Sequence, residues 1–145
     1  MSDKVFVDTN ILVYAHDRAA GAKHERARLL IENLWKSDGG VISTQVLQEL
    51  CVSLRRRAAR PLPVEETQRL IEDYLAWEIV VNTAESVVEA LAIESRYKIS
   101  FWDALIVQAA GSSGAAILYS EDLAHDQSHG SVRVVNPLRE EAISE

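Results

Sequence analysis

The chain has 145 residues, with 15 lysines and arginines against 22 aspartates and glutamates, and a formal net charge of −7. That length suits one domain able to bury roughly two-thirds of its unfolded surface, and a single domain over residues 1–145 is the expectation. One cysteine excludes an internal disulfide; with no signal-peptide pattern and no apolar run long enough for a bilayer, the expectation is a reducing cytoplasm and no membrane partner.

Residues 4–10 read Lys-Val-Phe-Val-Asp-Thr-Asn. Val5, Phe6 and Val7 show no polar alternation, which suits a strand buried on both faces of a parallel sheet. The apolar stretch from Ile11 to Ala15 can then start a helix. Asp8 therefore falls at the carboxyl end of a central strand, where open α/β sheets place their ligands. For an isolated acid the plainer reading is that Asp8 or Asn10 caps the helix. Further along, Ala27, Leu30, Ile31, Leu34 and Trp35 make a helical stripe that ends before Asp38-Gly-Gly. Val41–Ser43 reads as a short strand, followed by a helix from Thr44 to about Arg57. Glu49 lies off that helix's stripe of Val46, Leu47, Leu50, Cys51 and Leu54.

After the Pro61-Leu-Pro63 break, Thr67, Leu70, Ile71, Tyr74 and Leu75 predict another helix. Glu78–Asn82 is a short strand, and Val87, Val88, Leu91 and Ala92 are expected to line the next helix against the core. Ser100-Phe-Trp-Asp103 opens a helix through Ala109 with a capping-box-like start. Residues 115–122 read as a second buried strand, with Ser120 and Asp122 just past its carboxyl end, and Val132–Asn136 as a last strand. Such alternation implies a three-layer α/β/α domain around a mainly parallel sheet.

Right-handed βαβ crossovers carry the starts of such helices to one edge of the sheet. The expected result is a cluster of Asp8, Glu49, Asp103 and Asp122 there. Carboxylates gathered closely repel unless a cation lies among them, and hard oxygen ligands of this kind suit Mg²⁺ or Mn²⁺. Taken singly, Asp103 reads as a capping acid, Glu49 as a solvated glutamate and Asp122 as a turn residue. Those readings leave the convergence unexplained.

In Val-Asp-Thr-Asn at 7–10, Glu49, Phe-Trp-Asp-Ala-Leu-Ile at 101–106 and Tyr-Ser-Glu-Asp-Leu at 119–123, the chain resembles a PIN domain, most of all the VapC-type ribonuclease toxins of prokaryotic toxin–antitoxin pairs. The motifs are short, but their order and spacing together are specific. The resemblance implies a sheet of about five strands and a metal site at Asp8, Glu49, Asp103 and Asp122. It maps a supporting hydroxyl onto Ser120, a supporting amide onto Asn10 and an auxiliary acid onto Asp126. It also implies a metal-dependent endoribonuclease leaving a 5′-phosphate and a 3′-hydroxyl, a homodimer, and a cognate antitoxin whose C-terminal segment covers the acidic cleft.

Net negative charge is unusual for a protein that handles nucleic acid, but a divalent cation among the acids would offset part of it. Positive charge gathers at Arg55, Arg56, Arg57 and Arg60, at the end of the Glu49 helix. Arginines there are stabilised by the helix dipole alone; the functional reading is a strip for RNA phosphates. His16, His24, His125 and His129 show no ligand spacing, and Trp35, Trp77 and Trp102 are expected to pack rather than stack on bases. A phosphoryl-accepting receiver domain would want a lysine that the strand at 115–119 lacks after it. An aspartyl-phosphate phosphatase would want a second Asp where Asn10 stands. A catalytically silent PIN-like module that binds a protein or RNA partner is the remaining alternative.

Overall fold

A computed structural model describes residues 3–56 and 60–139. In chain order its elements are β1 (Val5–Val7), α1 (Thr9–His16), α2 (Ala22–Ser37), β2 (Gly40–Ser43), α3 (Thr44–Arg56), α4 (Val64–Tyr74), β3 (Glu78–Val80), α5 (Ala84–Tyr97), α6 (Phe101–Ser113), β4 (Ile117–Tyr119), β5 (Ser128–His129) and β6 (Val132–Val135). A single 3₁₀ turn, Arg18–Ala20, links α1 to α2.

The sheet has six strands in the order β3-β2-β1-β4-β6-β5. All pairings are parallel except that of β5 with β6. About five strands are expected from the resemblance, and the additional one is β5, a two-residue antiparallel strand on the β6 edge. Ser128 and His129 carry no apolar signal; only their pairing with Arg133 and Val132 makes them a strand. The strand expected over 115–119 is confined to Ile117–Tyr119.

The inner strands are apolar because both faces are covered: Phe6, Val7, Ile42 and Leu118 are fully buried. Helix α1 packs against both α2 and α3, and α3 against α4, whereas α5 pairs with α6 and α6 lies against β2, β4 and β6. This gives the three-layer α/β/α arrangement. Residues Ala104 to Ala110 of α6 are all buried, as expected of a helix enclosed between a sheet and a second helix.

One expected face is reversed. Val87, Val88 and Leu91 of α5 are exposed, Val88 by 68%, and the buried residues are Ser86 and Ala90. Ala90 joins Ala104 and Leu105 of α6 in a small separate core, so close helix–helix approach selects small residues over the more apolar stripe. Trp102, expected to pack, is 62% exposed, with its ring edge-on to Phe101. Trp77 is buried as expected, over Gly40, where a Cβ would lie 2.5 Å from the indole. Among the described residues, no helix is long and apolar enough to cross a membrane.

Candidate functional site

Strand β1 has β2 on one side and β4 on the other, so its carboxyl end is the point where the connections diverge, the usual ligand position in such sheets. Asp8 occupies it. Its N–H donates to the Tyr119 carbonyl at 2.9 Å, and the residue is only 4% exposed. Asp8 is also the N-cap of α1: Oδ1 accepts from the Thr9 N–H at 2.7 Å. The capping role and the site position are thus held by one residue.

Oδ2 of Asp8 accepts from the Ser120 hydroxyl at 2.8 Å. The same hydroxyl oxygen accepts from the N–H of Asp122 at 3.2 Å and of Leu123 at 3.4 Å. Fully buried Ser120 therefore shapes the turn after β4 and fixes it to Asp8. Asn10 joins the same turn, its Oδ1 accepting from the Glu121 N–H at 3.3 Å. Its Nδ2 is buried without a partner.

Glu49 is partly buried and approaches from α3. Its Oε1 accepts from the Thr9 hydroxyl at 2.7 Å, and its Oε2 from Gln45 Nε2 at 3.3 Å, one helical turn earlier. Gln45 Nε2 also donates to the Trp102 carbonyl at 3.2 Å. That bond ties the start of α3 to the start of α6, where Asp103 lies. Gln45 is in turn placed by Asn82, whose Oδ1 accepts from the Gln45 N–H and the Thr44 hydroxyl, both at 2.8 Å. Sequence reading assigns no role to Thr9, Gln45 or Asn82; only the i, i+4 spacing of Gln45 and Glu49 signals any of these bonds.

Asp103 sits in the first turn of α6. The Ser100 hydroxyl oxygen caps the helix by accepting from the Asp103 N–H at 3.1 Å, which is half of the box expected there. Asp103 is partly buried, whereas Asp122 is exposed.

The electrostatics reflect this crowding. Burial pushes the Asp8 carboxyl up from 3.8 to about 7; the hydrogen bonds from Ser120 and Thr9 oppose the rise, and the charges of Asp122 and Glu49 add to it. Asp103 is also raised, first by desolvation, against its bond with Ser100, and then by Asp122 and Glu49. None of these carboxylates forms an ion pair with a described residue. The donor set is therefore an all-oxygen, anionic one without a counter-charge, which suits a hard divalent cation. Among the described residues, however, no three acid, histidine or cysteine side chains already stand together as a metal-binding group. Glu49 and Asp8 are instead turned onto their hydrogen-bond partners.

Other sequence candidates lie elsewhere. Asp126, in a left-handed conformation with φ of 68°, pairs with Arg133 at 3.6 Å and His125 at 3.5 Å. It shares no hydrogen bond with the four acids. Arg55, Arg56 and Arg60 are exposed at and beyond the end of α3, and Arg57 lies outside the described residues.

The PIN domain family model matches residues 5–128. Among solved structures, the chain is similar to the VapC20 toxin of Mycobacterium tuberculosis, described as cleaving the sarcin–ricin loop. Identity is 24%, over 82% of this chain and 90% of that one, with a TM-score of 0.63. It is also similar to a toxin–antitoxin complex from Klebsiella pneumoniae (20% identity, 92% and 98% covered, TM-score 0.66). A third similar structure is VapBC2 from Rickettsia felis bound to a promoter DNA fragment (20% identity, 90% and 96% covered, TM-score 0.62). At such identities the likeness is one of fold. No curated protein matches the chain.

Proposed function

The chain belongs to the PIN-domain family, and from that membership we propose that it is a metal-dependent endoribonuclease, the toxin of a toxin–antitoxin pair. The observation that carries the reading is a buried carboxylate, Asp8, at the divergence point of the sheet, within the field of Asp122 and Glu49 and, among the described residues, paired with no cation. A burial of this kind is costly to stability alone and makes sense as a site kept for a positive ligand.

In this reading Asp8, Asp103 and Asp122 hold Mg²⁺ or Mn²⁺, with Glu49 completing the set. The bound ion supplies positive charge to the phosphodiester oxygen and lowers the pKa of an attacking water. The protein's own part is positioning. Ser120 and the Thr9 N–H fix the Asp8 carboxylate, while Thr9 and Gln45 hold Glu49 from both oxygens. Glu49 is thereby set to complete the ligand set or to orient the attacking water. Asn10 supports the turn that bears Asp122, and Asp126 is kept as an auxiliary acid only. Arg55, Arg56, Arg57 and Arg60 provide phosphate contacts.

The rest of the reading is a single PIN domain over 1–145, a homodimer, a cytoplasmic location and an antitoxin partner that covers the acidic cleft. Toxin–antitoxin complexes among the similar folds support the antitoxin. The test is cleavage of RNA by the purified protein with Mg²⁺ or Mn²⁺, with Asp8→Asn as the control. Loss of cutting in EDTA and in the variant supports the proposal. RNA binding with no cutting under any divalent ion would leave the silent binding module as the better account.

A further inference from the structure

A cavity of about 540 Å³ opens between α1 and α3, with Glu49 and Asp122 among its lining residues. Its remaining wall differs in chemistry from the acids. Thr9, Asn10, Val13 and Tyr14 come from α1, and Gln48, Val52 and Ser53 from α3. Among the described residues no lysine or arginine lines it, so it is unsuited to a phosphate group. A largely apolar cleft that carries the amides of Asn10 and Gln48 and the hydroxyls of Thr9 and Ser53 suits a group with π faces and a hydrogen-bonding edge, which is how single-stranded RNA presents its bases.

Tyr14 is prepared for that role. Its hydroxyl donates to Glu121 Oε1 at 2.8 Å, and Lys23 bonds the other Glu121 oxygen at 2.6 Å while its ammonium lies 5.0 Å from the centre of the Tyr14 ring. A ring held in this way loses little freedom when a base stacks on it. Glu121 directly precedes Asp122, so the tether also fixes the ring relative to the acids.

We propose that this cavity is a nucleobase pocket, seating the base beside the phosphodiester that reaches Glu49 and Asp122, with Tyr14 as its stacking platform. The proposal rests on the nuclease reading and adds to it a residue set that selects among RNA sequences. Val13 and Val52 would sandwich the base edge, and Gln48 and Ser53 would read its donors and acceptors.

The test compares binding of four homopolymeric oligoribonucleotides with that of an abasic ribose-phosphate chain of equal length and charge, in EDTA and at low salt. At least one homopolymer should bind the parent protein about tenfold more tightly than the abasic chain, the scale of one base–aromatic stack. Val52→Trp fills the cavity from a position that is 45% exposed, so the core is undisturbed. In that variant, and in Tyr14→Leu, the ratio should fall to about one. Equal binding of the abasic chain and all four homopolymers by the parent protein would overturn the pocket. A ratio untouched by Val52→Trp would do the same, and is the result expected if the cavity instead receives a segment of a protein partner. Manganese-dependent hydrolysis of bis(p-nitrophenyl) phosphate by the parent protein, a diester without bases, separately tests the nuclease reading. Its absence would overturn that reading and leave the base-to-abasic ratio to judge the pocket.

Discussion

The Thr9 hydroxyl donates to Glu49 Oε1 at 2.7 Å across 40 residues of sequence, while the Thr9 N–H holds Asp8. One threonine thus serves two of the acids, through its backbone and its side chain. Thr9→Val keeps the shape and the N–H but removes the bond to Glu49. The expected loss is about 0.5–1.5 kcal/mol of stability and about tenfold in RNA cleavage rate, with RNA affinity unchanged and activity restored by Thr9→Ser. Melting curves and single-turnover cleavage of the three proteins check this. Equal rates would show that the bond does not position Glu49.

Metal-free stability should depend on pH in a defined direction. Asp8 has a folded value of about 7 against an ordinary 3.8, so between those values the folded protein binds more protons than the unfolded chain. The stabilising contribution is fully present below 3.8 and is lost as pH rises through about 7. Asp8→Asn removes this dependence. In EDTA the variant should melt above the parent at pH 8, by up to a few kcal/mol equivalent, and the gap should close toward pH 4. Parallel profiles would return Asp8 to an ordinary capping acid.

Asp103 is also raised by burial and by its acidic neighbours. Asp103→Asn should therefore stabilise the metal-free protein modestly while lowering activity, the trade expected of a functional site. Saturating Mg²⁺ should raise the parent's melting temperature more than the variant's. An equal Mg²⁺ shift in both proteins would remove Asp103 from the ligand set.

Arg55, Arg56 and Arg60 are exposed, and replacing any two with alanine should weaken RNA binding at all sequences alike. The slope of log affinity against log salt should flatten by about one for each phosphate that is no longer neutralised. Titrations of binding at several salt concentrations give the slope; an unchanged value would make these arginines a solvated helix end.

Gly40 tests the fold rather than the site. A Cβ there would meet the Trp77 indole at 2.5 Å, and that ring is itself held against Tyr74 and Trp35. Gly40→Ala should cost about 1–3 kcal/mol, measured by chemical denaturation. Trp77→Leu in the same chain should recover part of the loss.

How much of this is legible in the sequence depends on the kind of signal each residue carries. Strand β1 is readable because it is apolar without interruption, and helix α6 because Ala104 to Ala110 is apolar but for Gln108; enclosure on both sides is what produces such runs. The outward face of α5 is not, because periodicity ranks stripes by hydrophobicity, whereas the α5–α6 packing selects Ser86 and Ala90 for size. Strand β5 is equally hidden, since Ser128 and His129 become a strand only by pairing with β6. The acids themselves are recognisable from their short motifs. Their supports are not: Thr9 meets Glu49, and Gln45 meets Trp102 at a separation of 57 residues, and no local pattern encodes a bond at such range.

Gln45 donates to both the Glu49 carboxylate and the Trp102 carbonyl, so a single amide links the α1–α3 side of the protein to the first turn of α6. This makes that joint a thermal fuse. Helix ends fray before the body of a domain opens, and fraying of the α6 start would release Gln45, and with it one of the two restraints on Glu49. Cleavage should then decline on warming several degrees below the cooperative melting transition, reversibly and with the far-ultraviolet circular dichroism spectrum still native.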